Sequence, residues 1–420
     1  MRRGDASDAL LRRRPPTDRA AELTRDPAVR TTFWFVALMA SLGALNAFAT
    51  DIVIPALGEI DREFSLADPN LRQWTIYAFF LGMAVSQLIL GPVADRYGRR
   101  GAVFIGLVVY LAGAGWSAAA GTYEGLLAGR VLQGMGSGGM RVIANAIVRD
   151  RAQGAEMARI LSLTNSVFVI MVLLAPFAGQ WITEAQGWRW VFAWLAVQGA
   201  LTGVWFALAQ AETLRPENRR EIRPMAVLRT LGGVIADATA RKAGLALGAC
   251  FGAFGAYLGA AEQIFGGLYG LETELPWAFG AISLLFGVAS LFNAWAVRRF
   301  GLERLAKTGL AWWVLSGFGG AAAAHYGFAG VPPLLVYIGW GMVTISGFAA
   351  LFGNLQALAL QEMGDRAGSA ASAISAFGTF CGVGVAAAVG AAYDGTVVPQ
   401  AVSFGAAGLI GLIVLRRRRV

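Results

Sequence analysis

Residues 73–94 read QWTIYAFFLGMAVSQLILGPVA, residues 95–100 DRYGRR and residues 101–123 GAVFIGLVVYLAGAGWSAAAGTY. Two charge-free windows of 22 and 23 residues thus flank a six-residue turn that holds four charges. A helix needs about 20 apolar residues to cross a ~30 Å hydrocarbon core. The stretch therefore reads as two membrane spans joined by a short charged turn. Further charge-free windows cover residues 160–183, 190–211, 275–297, 367–393 and 395–415. Residues 308–361 are also free of charge and long enough for two spans. His325, Tyr326 and Val331-Pro332-Pro333 divide them as a loop should. Three more windows tolerate charge: 31–58 with Asp51, 125–148 with Arg130 and Arg141, and 243–271 with Glu262. The expectation is an all-α membrane protein with twelve spans.

Composition agrees. The 420 residues are 56% hydrophobic and 15% charged, with a mean hydropathy of +0.56. Soluble domains carry about 25% charged residues, so a multidomain soluble protein and intrinsic disorder are both excluded. A net charge of +9 and a pI near 10 would ordinarily suggest nucleic acid. Here the basic residues lie between apolar runs, which points to a membrane surface and no nucleic-acid partner. With the N-terminus cytoplasmic, 30 of the 35 basic residues fall in cytoplasmic segments and three outside, Arg62, Arg72 and Arg189. By the positive-inside rule both termini are cytoplasmic.

The Arg-rich leader resembles a signal peptide, with Ala47-Phe48-Ala49 as a mock cleavage site. However, the apolar run continues through Ile52-Val53-Ile54 to Leu57, so cleavage is not expected. The resulting plan is a basic tail (1–30), a six-span bundle (31–211), a cytoplasmic linker (212–242), a second six-span bundle (243–415) and a basic end (416–420). The six-to-six division suggests a parallel repeat. Residues Asp95 to Arg100 and Arg298 to Glu303 form matching basic-aromatic-glycine turns 203 residues apart.

Ionisable residues at membrane depth cost about 2.5–3.5 kcal/mol each on insertion scales, so each needs a reason. Asp51 and Arg130 both fall about 10 Å below the outer boundary at ~1.5 Å per residue, so they can approach or pair. Eleven residues separate Arg130 from Arg141, which places both on one face of the fourth span about 16 Å apart. Asp51 is the leading proton-coupling candidate. Burial favours its neutral form and a neighbouring arginine its charged form, so its proton can follow access to water. A permanent ion pair with Arg130 is the competing reading. Arg130 does not give up its proton and reads as a positioning and charge-tuning partner. Arg141 either contacts an anionic or polar substrate or bonds between helices. Glu262 is a second titratable site, a cation-binding group or a vestibule residue. Asn46, Gln133, Asn145, Asn165, Gln263, Asn293, Asn354 and Gln356 are candidates to face a cavity, each equally readable as interhelical glue.

Several of these residues sit in recognisable motifs. Gly91-Pro92-Val93-Ala94-Asp95-Arg96-Tyr97-Gly98-Arg99-Arg100 resembles the signature loop between helices 2 and 3 of the major facilitator superfamily. Arg130-Val131-Leu132-Gln133-Gly134 resembles the RxxQG signature of its drug:proton antiporters. Thr50-Asp51-Ile52-Val53-Ile54-Pro55-Ala56-Leu57 resembles helix 1 of the bicyclomycin/chloramphenicol-resistance (Bcr/CflA) branch. Ala175-Pro176-Phe177-Ala178-Gly179-Gln180 is similar to the helix 5 antiporter signature, with Gln180 where a second glycine is commoner. Arg141 departs from the commonest family form, in which a second arginine sits nearer Asn145.

The resemblance implies the major facilitator fold, an acid of helix 1 in coupling, and proton-driven export of small amphipathic compounds across the cytoplasmic (inner) membrane by a monomer. Proton-coupled uptake of a metabolite or sugar is the alternative on the same fold. It further implies a cytoplasmic gate of Gly91, Asp95, Arg96, Gly98 and Arg99. Arg149 and Asp150 would join it, and Asp95 would face the start of span 11 near Arg366 and favour the outward-open state. Pro176 should kink helix 5, and Gly179 belongs to the same signature. No P-loop occurs, no cofactor is implied, and no cluster has metal or nucleophile spacing. Cys250 and Cys381 read as small buried hydrophobes. An enzyme is not expected.

Overall fold

The computed structural model describes residues 33–219, 232–361 and 367–416. The basic tail 1–30, residues 220–231 of the linker, Arg366 and residues 417–420 lie outside these described residues. Every regular element among them is helical. The first segment runs as α1 (Phe33–Asp51), a 3₁₀ turn (Ile54–Ala56) and α2 (Leu57–Phe64). Next come α3 (Trp74–Tyr97), α4 (Arg99–Ala118), α5 (Tyr123–Ser137), α6 (Met140–Arg151), α7 (Gly154–Gln186) and α8 (Trp188–Ala209). The later part contains α9 (Ala238–Glu262), a π-turn (Gln263–Leu268), α10 (Leu275–Phe300), α11 (Leu302–Ala322), α12 (Leu334–Gln361), α13 (Ala367–Ala391) and α14 (Val398–Arg416).

Among the described residues, ten helical stretches are long and apolar enough to cross a membrane. The two expected spans outside that set have identifiable causes. The fourth is split into α5 and α6 at Gly138-Gly139 and carries Arg130 and Arg141. The Gly139 amide donates to Ser86 Oγ of α3 at 3.1 Å rather than continuing the helical ladder. The ninth, α11, starts with Glu303, Arg304 and Lys307. The first expected span is also longer than its apolar window, continuing to Phe64.

Helices α1 to α8 pack mainly on one another, as do α9 to α14. Between the two groups, α3 packs against α13 and α7 against α10. Helix α5 lies wedged between two neighbours. A side chain at Gly134 would strike the Phe79 carbonyl of α3, and one at Gly136 the backbone of α4 at Tyr110. Small residues allow this approach, which supplies van der Waals packing where lipid gives no hydrophobic drive. The two related turns fold alike. Gly98 has φ +91° between α3 and α4, and Gly301 has φ +81° between α10 and α11. Side chains rarely adopt that region, which explains a glycine at the same place in both turns. The expected kink at Pro176 produces no break, since α7 runs through it from Gly154 to Gln186.

Candidate functional site

Asp51 is the last residue of α1, where the α-helix gives way to a turn and then to 3₁₀ geometry at Pro55. It is 5% exposed and forms no ion pair among the described residues. The expected approach of Arg130 is realised in depth but not in partnership. Arg130 is fully buried and donates to the carbonyls of Ala49 (2.9 Å) and Thr75 (2.8 Å) and to Gln133 Oε1 (2.6 Å). Its guanidinium also lies 4.5 Å from the centre of the Phe79 ring. A helix that ends leaves carbonyls without partners. The Ala49 carbonyl stands at such an end, and Arg130 satisfies it. The arginine thus braces the broken helix two residues before Asp51.

Gly179 of α7 packs on the same break. A Cβ there would collide with the Ile52 carbonyl oxygen. The sequence signature on α7 therefore marks the surface against which the Asp51 turn rests.

A polar closure joins the two helix groups at the end of the bundle that carries Arg72. Arg72 Nη1 forms ion pairs with Glu262 Oε2 at 3.0 Å and with Asp61 Oδ2 at 3.4 Å. Gln73 Nε2 donates to Gln263 Oε1 at 2.5 Å. Gln263 Nε2 donates to Asn70 Oδ1 at 2.8 Å, and Asn70 Nδ2 to the Tyr393 carbonyl at 3.0 Å. The π-turn begins at Gln263, and such turns are frequent at functional sites. Gln263, a cavity candidate by sequence, is buried in this closure. Gln133 is likewise buried, and its Oε1 accepts from Arg130. Both amides satisfy buried polar partners, a role that a polar residue in an apolar run signals equally well.

The remaining candidates are dispersed. Asn46 Nδ2 donates to Met83 Sδ at 2.9 Å. Arg141 is exposed, donates to Asn165 Oδ1 at 3.0 Å and lies 4.6 Å over the Phe168 ring. Asn293 and Asn354 exchange hydrogen bonds across α10 and α12, while Gln356 donates to Ser375 Oγ. Asn145 is half-buried.

At the opposite end, Asp95 pairs with Arg99 at 2.7 Å, and Arg99 reaches Asp150 at 3.4 Å. Arg96 and Arg149 are exposed, and Gly91 lies beside Ser372 of α13. The expected partner of Asp95 near Arg366 lies outside the described residues. The acid at a helix N-terminus is instead Glu212, which accepts from the backbone amides of Arg99 (2.9 Å) and Arg100 (3.1 Å) at the start of α4. Sequence reasoning missed it because it looked like the first residue of a solvated linker. It also missed Asn70, Arg72, Gln73 and Tyr393. One signal was available: Arg72 is among only three basic residues assigned to the outer side.

The chain is similar to known proteins. The chain is 28% identical over 270 residues to the uncharacterized MFS-type transporter YdgK of Bacillus subtilis, covering 64% of this chain and just under two thirds, 65%, of that protein. It is 24% identical to the bicyclomycin resistance protein homolog of Haemophilus influenzae, over 91% of this chain and 96% of the relative. It is 29% identical to multidrug resistance protein D of Escherichia coli, over 47% and 49% of the two chains. Among solved structures, a D-xylose–proton symporter superposes with a TM-score of 0.74 at 15% identity, covering 91% of this chain and 96% of that one. The partially occluded inward-open xylose transporter XylE of E. coli gives 0.73 at 14% identity, over 92% and 98%. These structural likenesses establish the shared fold. Residues 39–415 match the Major Facilitator Superfamily profile, and on that match, with the helical packing and the motif residues placed above, the chain belongs to the Major Facilitator Superfamily.

Proposed function

We propose that the protein exports small drug-like or amphipathic compounds in exchange for protons across the cytoplasmic membrane. The observation that carries the coupling assignment is Asp51, a buried carboxylate without an ion-pair partner among the described residues, placed at a break in α1. A permanent Asp51–Arg130 pair would hold the charge; the bracing of Ala49 by Arg130 leaves the acid to titrate. The names of the bicyclomycin- and multidrug-resistance relatives support the cargo class.

In this reading the chain crosses the membrane twelve times, with α5 and α6 together forming span 4 and both termini cytoplasmic. The bundles 31–211 and 243–415 rock about a midplane site, with residues 212–242 between them. Closure at Arg72 and Glu262 is then closure of the outer side. Protons drive the cycle in a monomer, without a resident cofactor. Sugar or metabolite uptake would use the same fold, but no residue described above favours it.

Reconstitution into proteoliposomes under an imposed pH gradient tests the proposal. Wild type should export a resistance-type drug in a gradient-dependent way, and Asp51→Asn should lose that dependence. Full proton-coupled transport by Asp51→Asn would refute the assignment.

A further inference from the structure

Three of the four ionisable side chains at membrane depth are already engaged or enclosed. Arg130 is fully buried and bonded to two carbonyls and an amide oxygen. Glu262 pairs with Arg72. Asp51 is enclosed at the α1 break. Arg141 is the exception. It is exposed, and among the described residues its one hydrogen bond goes to the neutral amide oxygen of Asn165 and it forms no ion pair. A guanidinium has five N–H donors and no acceptor. An unpaired cation at this depth is tolerated only beside water, so its free donors are open to a solute.

The surroundings describe the rest of such a solute. The Arg141 stem packs toward Gly43 of α1, and its guanidinium rests over Phe168 of α7, so it projects between these helices. Helices α3 and α5–α6 run parallel, and Gly138 lies level with the Met83 carbonyl. Arg141 is three residues beyond Gly138 and Phe80 three residues before Met83, which separates them by about 9 Å along the bundle at ~1.5 Å per residue. Phe80 meets Phe251 of α9 at 5.0 Å between ring centres, and Phe251 continues to Phe352 at 6.1 Å. An aromatic bridge between the two helix groups thus lies about two turns above a free guanidinium.

We infer that the space beside Arg141, between α1 and α7, takes an aromatic compound bearing an anionic oxygen group, with the acid on Arg141 and the rings directed toward Phe80 and Phe251. Guanidinium and carboxylate match as a bidentate pair, and among the described residues no acid pairs with Arg141 to favour a cationic ligand. The inference rests on the export reading for its physiological meaning, but binding can be measured without it.

Purified full-length protein in lipid nanodiscs would be titrated calorimetrically with biphenyl-4-carboxylate, biphenyl-4-carboxamide and biphenyl-4-ylmethylammonium. Wild type should bind the carboxylate at least ~10-fold tighter than either analogue, a factor of ten corresponding to about 1.4 kcal/mol. Arg141→Gln should equalise carboxylate and carboxamide. Arg141→Lys should retain part of the preference, having the charge but not the fork. Melting curves of both variants confirm that they fold. The inference is overturned if Arg141→Gln keeps the preference, if the ammonium binds as well as the carboxylate, or if none of the three binds. Anion preference without gradient-driven export would sink the export reading alone. Proton-driven export of neutral drugs with no Arg141-dependent preference would sink this inference alone.

Discussion

The closure at Arg72 makes an ordered prediction. Arg72 and Glu262 retain only 14% side-chain exposure each, so solvent screening discounts their contact little. Such a pair lies between a surface ion pair, worth about 0–1 kcal/mol, and a buried one, whose breaking costs about 3–5 kcal/mol, so about 2 kcal/mol applies here. Glu262→Gln keeps the shape and one neutral acceptor while Asp61 still faces Arg72, so about half of this is lost, or roughly 1 kcal/mol. Arg72→Gln is worse. It removes the cation from between Asp61 and Glu262, leaving two acids near one neutral amide, and should cost about 2–3 kcal/mol. Asp61→Asn leaves the 3.0 Å pair intact and should have the least effect.

If the closure holds the two helix groups together, these energies shift the closed-to-open ratio. The expected factors are about 5-fold for Glu262→Gln and about 30- to 150-fold for Arg72→Gln. Spin labels at the exposed Ala67 and Thr273, one on each group, would read that ratio as inter-label distances in nanodiscs. Cys250 and Cys381 would first be replaced by alanine. The order should be Arg72→Gln, then Glu262→Gln, then Asp61→Asn. Distances for Arg72→Gln that superimpose on wild type, or a larger shift for Glu262→Gln than for Arg72→Gln, would refute the reasoning.

Three further variants test the packing around Asp51 and the α4 turn. Arg130→Lys offers fewer donors and no planar fork to the two carbonyls and Gln133, so it should lose about 2–4 kcal/mol; unchanged denaturation would show that the bracing contributes nothing. Gly179→Ala sets a methyl against the Ile52 carbonyl, which as backbone cannot swing aside. A loss of about 1–3 kcal/mol is expected, and a wild-type unfolding midpoint would contradict the close approach. Glu212→Gln removes the charge from the α4 N-terminus, worth about 0.3–1 kcal/mol. The Arg99 and Arg100 amides should then exchange up to ~5-fold faster, and protection equal to wild type would exclude the cap.

Much of the fold was legible because lipid leaves few options. Charge-free windows of about 20 residues admit helices and little else when strand closure is not signalled. What the windows concealed lay at irregularities. The Gly138-Gly139 break depends on a serine of another helix, which no local pattern reveals. The extension of the first span to Phe64 consists of the charged segment around Glu59, Asp61 and Arg62, which hydropathy alone assigns to a loop. Depth was recoverable by counting: Arg130 does reach α1 two residues from Asp51. Direction was not, because the count places residues along an axis and says nothing of which atom is met. For the same reason Gln133 and Gln263, polar residues in apolar runs, looked identical to cavity residues.

Residues 49–58 receive contacts from three sources. Arg130 of α5 holds the Ala49 carbonyl, Gly179 of α7 closes on the Ile52 carbonyl, and a side chain at Gly58 would meet Glu262 Oε1 at 2.6 Å. Asp51 lies within this run, where the helix has lost its regular ladder. A continuous helix resists local change, since each turn is held by the next. A broken one can respond to a single added proton. The break therefore unites features that the sequence presents as separate signatures: the acid of the first span, the arginine of the fourth and the glycine of the fifth. It also places them one short segment away from the Arg72–Glu262 closure. In that geometry Asp51 is joined by a contiguous segment to the end of the bundle that carries Arg72, and the segment between Asp51 and Gly58 is seven residues long.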